Sequence, residues 1–195
     1  MHQKELGKLS DADYDRYLEY LYEFFICYHI IGEQTSNKIE DVVYAYSCRL
    51  ENEFSTSLLS DFQKSIAKRI PSEENFVNSI KRIMYSHKFK AYADNRRKEN
   101  VFAIYELLER ELGYSGSFDK MNIEHCNPDF ESEDNAHIGN LMLLEEKVND
   151  KCKNKPLAQK IGFYEESALK YPKIIRERFI NTGTLDYDEI DENAN

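Results

Sequence analysis

The sequence predicts a mostly helical protein carrying one small strand–strand–helix module in its C-terminal half. Three observations carry this expectation. Apolar residues recur at steps of three and four over residues 14–108, the period of a helix with one buried face. Only 7 Gly and 4 Pro occur among 195 residues, too few for the many turns of an all-β chain. Two short apolar runs, 121–125 and 141–144, interrupt the helical period at strand length. With 41% hydrophobic residues, the chain can bury a core.

Taken in order, Ser10-Asp11 opens the first long helix, with Tyr14, Tyr17, Leu18, Leu21, Phe24, Phe25 and Tyr28 on its apolar face and Gly32 as its stop. A second helix is expected over about 38–54, with Ile39, Val42, Val43, Tyr46 and Leu50 on one face. A third covers 59–70 and ends before Pro71. Ser72 caps a fourth, carrying Phe76, Val77, Ile80, Ile83 and Met84. A fifth runs over about 98–112 and is closed by Gly113. The stretch 114–119 then reads as a loop, 121–125 as a strand, 126–135 as polar turns and 141–144 as a second strand, with a helix over 145–153. Pro156 opens a further helix to Leu169, Tyr171-Pro172 breaks it, and a short helix resumes over 174–180. Residues 186–195 are acidic, lack a periodic apolar face and are expected to fray. The implied division is a helical region 1–113 packed on a module 114–183, with an acidic tail 184–195.

The formal net charge is −10, and a uniformly acidic protein does not attract nucleic acid by itself. The four cysteines, Cys27, Cys48, Cys126 and Cys152, form no CxxC pair, so no structural zinc is expected and reduced thiols are the default. The N-terminal residues lack an apolar leader and no run is long enough to cross a membrane, so a cytoplasmic location is expected.

The chemistry concentrates in the module. His125 lies at a strand end beside Glu124, and an imidazole titrating near neutrality can take a proton from water. Glu124 offers a hard oxygen suited to Mg²⁺, and Asn149, on the following helix, offers an amide oxygen. One carboxylate and one amide leave coordination positions for water and phosphate oxygens, the arrangement suited to phosphodiester hydrolysis. A Glu-His pair alone is most often an ordinary surface pair. The ordered set IEHCNP, HIGNLMLLE and VNDKCKNKP is far more specific.

That ordered set resembles the HNH subclass of His-Me finger nucleases, and most closely the C-terminal domain of GmrSD-type modification-dependent restriction enzymes. The matching residues are Glu124-His125-Cys126-Asn127-Pro128, Gly139 to Leu144, Asn149, and Asn154 to Lys160. AIYELLERELG is similar to the family's lead-in to the His strand, and FFICYHIIGEQTSNKIEDVVYAY, less distinctively, to an earlier helical segment. The resemblance implies a ββα-metal fold, with His125 as general base, Glu124 and Asn149 as ligands of Mg²⁺ or Mn²⁺, and Asn140 bracing the loop between the strands. It implies DNA as substrate, with RNA as the alternative, in a prokaryotic defence or restriction setting. Cys126 stands where the family is usually apolar. The N-terminal nucleotide-sensing half found in many family members is not part of this sequence; the resemblance implies either a partner protein that supplies sensing or target recognition, or a sequence that is a fragment of a longer protein.

Charge patterning adds to this. Between Lys147 and Lys160 there are five lysines and one acid, whereas Asp186 to Glu192 carries five acids. Lys151, Lys153, Lys155 and Lys160 are therefore the expected phosphate contacts, against the blander reading of a solvated helix face. His137 reads as an exposed loop histidine, and His2, His29 and His87 have no chemical company. Cys126 and Cys152 read as buried thiols, and the Tyr and Phe stripes as core. The rival of a different class is a helical interaction subunit with a degenerate nuclease fold.

Overall fold

A computed structural model describes residues 2–193 of the chain. It divides at Ser79/Ile80 into two compact units. The first holds α1 (His2–Glu5), α2 (Asp11–Phe25), α3 (Glu40–Asn52), α4 (Thr56–Ala67) and nearly all of α5 (Glu73–Ile80). Ser10 caps α2 by accepting a hydrogen bond from Asp13 N at 3.1 Å, and Ser55 caps α4 by accepting from Leu58 N at 3.1 Å. Beyond Phe25 the helix widens to π geometry over Ile26–Ile31, closed by Gly32 N donating to Cys27 O at 2.9 Å. A Cβ on Gly32 would lie 2.9 Å from both Cys27 O and Tyr28 O, so the wide turn ends where only glycine fits. Phe24, Tyr28, Ile39, Phe62 and Ile66 form this unit's core, so the aromatic stripe is packing material.

The second unit begins before the sequence-expected boundary at residue 113. Helix α6 (Asn95–Glu111), expected in the N-terminal region, packs on the sheet of this unit. The sheet has two antiparallel strands, β1 (Met121–His125) and β2 (Leu141–Glu145), with Met121 opposite Glu145 and His125 opposite Leu141. Residues Leu141 to Leu144 are all buried, which explains why β2 is continuously apolar rather than alternating. Then follow α7 (Glu146–Cys152), α8 (Leu157–Lys160), α9 (Tyr171–Phe179) and α10 (Tyr187–Asn193). Hairpin and α7 thus form a strand–strand–helix unit.

Three expectations change. The helix after Pro156 ends at Lys160, and Gly162, costly inside a helix, precedes a 3₁₀ turn over Phe163–Glu166. Pro172 does not break a helix but sits in the first turn of α9, where its missing N–H costs nothing. The carboxylate of Glu109, only 1% exposed, accepts from Lys170 N at 2.7 Å and Tyr171 N at 2.8 Å and so caps that helix from another element. The acidic tail is a helix rather than a frayed end. Leu185 and Ile190 are buried in the core, and Asn127 Nδ2 donates to Leu185 O at 2.5 Å. Residues 194 and 195 of that stretch lie outside the described residues. Among the described residues no helix is long and apolar enough to cross a membrane.

Candidate active site

The end of β1 is where the side chains converge. Ile83–Tyr85 runs beside the loop between the strands, with Tyr85 N donating to Ala136 O at 2.7 Å and Ile138 N to Ile83 O at 2.9 Å. This places the Tyr85 carbonyl against the strand end. β1 stops at His125, the last paired residue. A regular strand would send Glu124 and His125 to opposite faces. Because the strand ends there, both line one cavity of about 300 Å³, together with Asn149 from α7 and Lys160 from α8.

His125 is buried, and its Nε2 lies 3.1 Å from Tyr85 O. A carbonyl can only accept, so Nε2 carries the proton and Nδ1 of the neutral ring keeps the lone pair. Burial pushes the imidazole down to about 4, opposed by Asp129, whose Oδ1 is 3.7 Å from Nε2, and by the Tyr85 carbonyl. His125 is therefore neutral at pH 7 and able to accept a proton.

Glu124 is also buried, and burial pushes its carboxyl up to about 7 against the opposing pull of Lys160. Lys160 Nζ lies 2.7 Å from Glu124 Oε1 as an ion pair, but off a hydrogen-bonding direction: among the described residues Oε1 has no well-aligned hydrogen-bond partner. The same ammonium donates to His125 O at 2.5 Å. The two shifts act oppositely on stability. Below pH 6.5 and down to about 4, the unfolded chain takes up a proton that folded His125 refuses. Above pH 4.5 and up to about 7, the unfolded chain sheds a proton that folded Glu124 retains. The site is thus least costly between those limits.

Asn140 is fully buried and ties the loop together. Its Oδ1 accepts from Asn127 N at 2.8 Å, and its Nδ2 donates to Asn127 O at 3.0 Å and Asn135 O at 2.8 Å. Its own carbonyl accepts from Cys126 N at 2.8 Å. Cys126 itself is completely buried, as is Cys152, and burial pushes both thiols up to about 12, so neither is a nucleophile.

Of the four lysines expected to meet phosphate, Lys153 and Lys160 line the cavity. Lys160, 1% exposed, is not the surface cation the charge pattern implied. Lys151 pairs with Glu166, and Lys155 donates to Lys151 O and lies 4.8 Å from the centroid of the Phe163 ring. The local basic excess is therefore smaller in space than in sequence.

Residues that the sequence did not single out also line the cavity: His87, Lys88 and Asp129. Asp129 accepts from Ser86 Oγ at 2.6 Å and His87 N at 2.7 Å, tying the 86–88 turn to the strand end. The His87 ring centroid lies 6.2 Å from that of His125. Asp129, next to Pro128 and four residues after His125, carried some local signal; His87, far away in the chain, carried none. His137 is buried rather than exposed, with Nε2 donating to Lys81 O at 2.5 Å and Nδ1 accepting from Gly139 N at 3.2 Å. His29 stacks on Phe25 in the first unit.

Among the described residues no group of three or more His, Cys, Asp or Glu is arranged to hold a metal. A sparser set is present. A buried carboxylate oxygen without a hydrogen bond and an amide on the same cavity are hard oxygen donors, which fit Mg²⁺ or Mn²⁺ completed by water and phosphate. They do not fit zinc, which takes nitrogen and sulfur.

Residues 76–195 match the family described as GmrSD restriction endonucleases, C-terminal domain. The chain belongs to that family. The match takes in the whole second unit and every residue of the cavity, so the GmrSD C-terminal domain and the candidate site coincide. No curated protein matches the chain.

Proposed function

We propose that this GmrSD C-terminal domain is a metal-dependent endonuclease of the HNH, or ββα-metal, type that hydrolyses DNA phosphodiester bonds in cytoplasmic defence or restriction. The observation that carries this reading is the convergence of Glu124, His125 and Asn149 on one cavity at the end of a hairpin followed by a helix. Glu124 and Asn149 would hold the cation. When bound, Mg²⁺ supplies positive charge for the phosphorane and the leaving oxygen. His125 takes the proton of the attacking water at Nδ1, while its Nε2–H stays on the Tyr85 carbonyl. Asp129, 3.7 Å from Nε2, stabilises the imidazolium that results. Asn140 keeps the loop carrying Asp129 in register. The body of the protein is acidic, so binding of free nucleic acid is expected to be weak and salt-sensitive, with target recognition from a partner protein.

The deciding assay incubates the purified protein with plasmid and with structured RNA, in Mg²⁺, Mn²⁺ or EDTA, alone and with candidate partner chains. Metal-dependent plasmid nicking that EDTA abolishes is the expected result. Cleavage of RNA alone would move the substrate to RNA. No cleavage under any condition would leave an interaction subunit.

Lys153 offers a separate check. Its backbone sits at φ 46°, ψ −137°, a left-handed conformation costly to any residue with a Cβ, at the edge of the cavity. Lys153→Gly is expected to raise stability by about 1 kcal/mol and to flatten the salt dependence of nucleic-acid binding by about one unit of slope. Thermal melts and binding titrations at several salt concentrations measure both. Unchanged binding would remove Lys153 from the phosphate path.

A further inference from the structure

Lys160 is the most unexpected charge in the second unit. A lysine at the end of a four-residue helix is ordinarily solvated, yet this one is 1% exposed. Its ammonium touches both halves of the strand end: Glu124 Oε1 at 2.7 Å and His125 O at 2.5 Å. A buried ammonium persists only where it is paired, and Glu124 is the carboxylate that pairs it. The pairing is incomplete: among the described residues Oε1 has the ion pair with Lys160 but no well-aligned hydrogen bond, and Glu124 lines the cavity that Asn149 shares. So little of the ammonium reaches solvent that a phosphate is a poor partner for it in this arrangement.

We propose that Lys160 is a resident counter-ion that competes with the divalent metal for Glu124 and, through the His125 carbonyl, holds the strand end in shape until the metal arrives. This rests on the reading of Glu124 as a metal ligand. Two cations served by one buried carboxylate repel each other, and at a few ångströms in a protein interior that repulsion is strong. Lys160 is thus a positioning residue, one that keeps the metal-free site folded at the expense of metal affinity. A lysine with a structural role only would leave metal affinity unchanged, or lower it, when removed.

The test titrates Mn²⁺ alone, without nucleic acid, into the full chain by calorimetry, with melting temperatures recorded with and without Mn²⁺. Wild type is compared with Lys160→Met, Lys160→Gln, Lys160→Arg and Glu124→Gln. Lys160→Met and Lys160→Gln are expected to bind Mn²⁺ at least about tenfold more tightly than wild type, given the size of such repulsions. Lys160→Arg is expected to stay close to wild type, and Glu124→Gln to lose the site. Binding by Lys160→Gln where wild type shows none would support the proposal in its strongest form. If wild type binds Mn²⁺ and the two neutral variants bind equally or more weakly, the proposal is overturned and the metal site stands. If neither wild type nor Lys160→Gln binds Mn²⁺, both fall. If the neutral variants are unfolded alone but fold on adding Mn²⁺, the metal has taken over the lysine's charge, as proposed. If they stay unfolded with Mn²⁺, Lys160 is structural only and the proposal is overturned.

Discussion

His125→Ala is expected to lower metal-dependent cleavage by about 10²–10⁴-fold, the usual contribution of a positioned general base. Among the described residues the ring's one hydrogen bond is from Nε2 to the Tyr85 carbonyl, so the variant keeps the β1–β2 ladder and is expected to remain folded. Circular dichroism and Mn²⁺ binding should therefore be close to wild type while turnover collapses. Undiminished cleavage by His125→Ala would refute the assignment of the base. The pH profile separates this role from that of Glu124. Burial leaves His125 neutral down to about pH 4, so its protonation does not limit activity near neutrality. Burial holds the Glu124 carboxyl near 7, and a protonated carboxyl offers no anionic oxygen. At limiting Mg²⁺, activity should therefore fall as pH drops through 7, and saturating Mg²⁺ should move that fall to lower pH, because cation and proton compete for the same oxygen.

The helical period and the two strands were legible in the sequence because each rests on local spacing, whereas Glu124, His125 and Asn149, which share one cavity, were singled out together through the family resemblance. Ser10, Gly113 and the run Leu141–Leu144 announce an N-cap, a stop and a buried strand by residue type alone. The unit boundary was not legible, since α6 looks like the helices before it and only its packing on the sheet assigns it to the second unit. The tail misled for a related reason. Its five acids dominate its composition, while Leu185 and Ile190, which bury it, are too few to make a period. Lys160 misled through charge counting. A net charge along the chain says nothing of which ammonium turns inward, and Lys160 is held inside by a carboxylate on a different element. His87 met the cavity through its contact with Asp129, some 40 residues away in the chain, for which no single-sequence signal exists.

The largest stability effect in the second unit is expected at Asn140. Its side chain makes three hydrogen bonds with backbone groups on two segments of the loop between the strands, and none of it reaches solvent. Asn140→Ala removes all three at once and leaves a void lined by the polar groups it served. The stranded groups are Asn127 N, Asn127 O and Asn135 O, and each unsatisfied buried group costs about 1–3 kcal/mol. Some will find other partners, so the expected loss is about 3–5 kcal/mol. For a unit of this size that is a fall in melting temperature on the order of 10 °C or more. Asn140→Asp probes the same bonds differently: it keeps the acceptor for Asn127 N, loses both donors, and puts a carboxylate beside two carbonyls. It should be no more stable than the alanine variant despite its matching shape. The loop carries Asp129, which lies 3.7 Å from His125 and anchors the 86–88 turn. Activity should therefore fall in both variants even well below their melting temperatures, with Mn²⁺ affinity less affected, because Glu124 and Asn149 lie on β1 and α7 rather than on the loop. Thermal melts, Mn²⁺ titration and cleavage rates on the same preparations check this. An Asn140→Ala protein as stable as wild type would show that the loop is held by other contacts, and full activity in a destabilised one would detach the loop from catalysis.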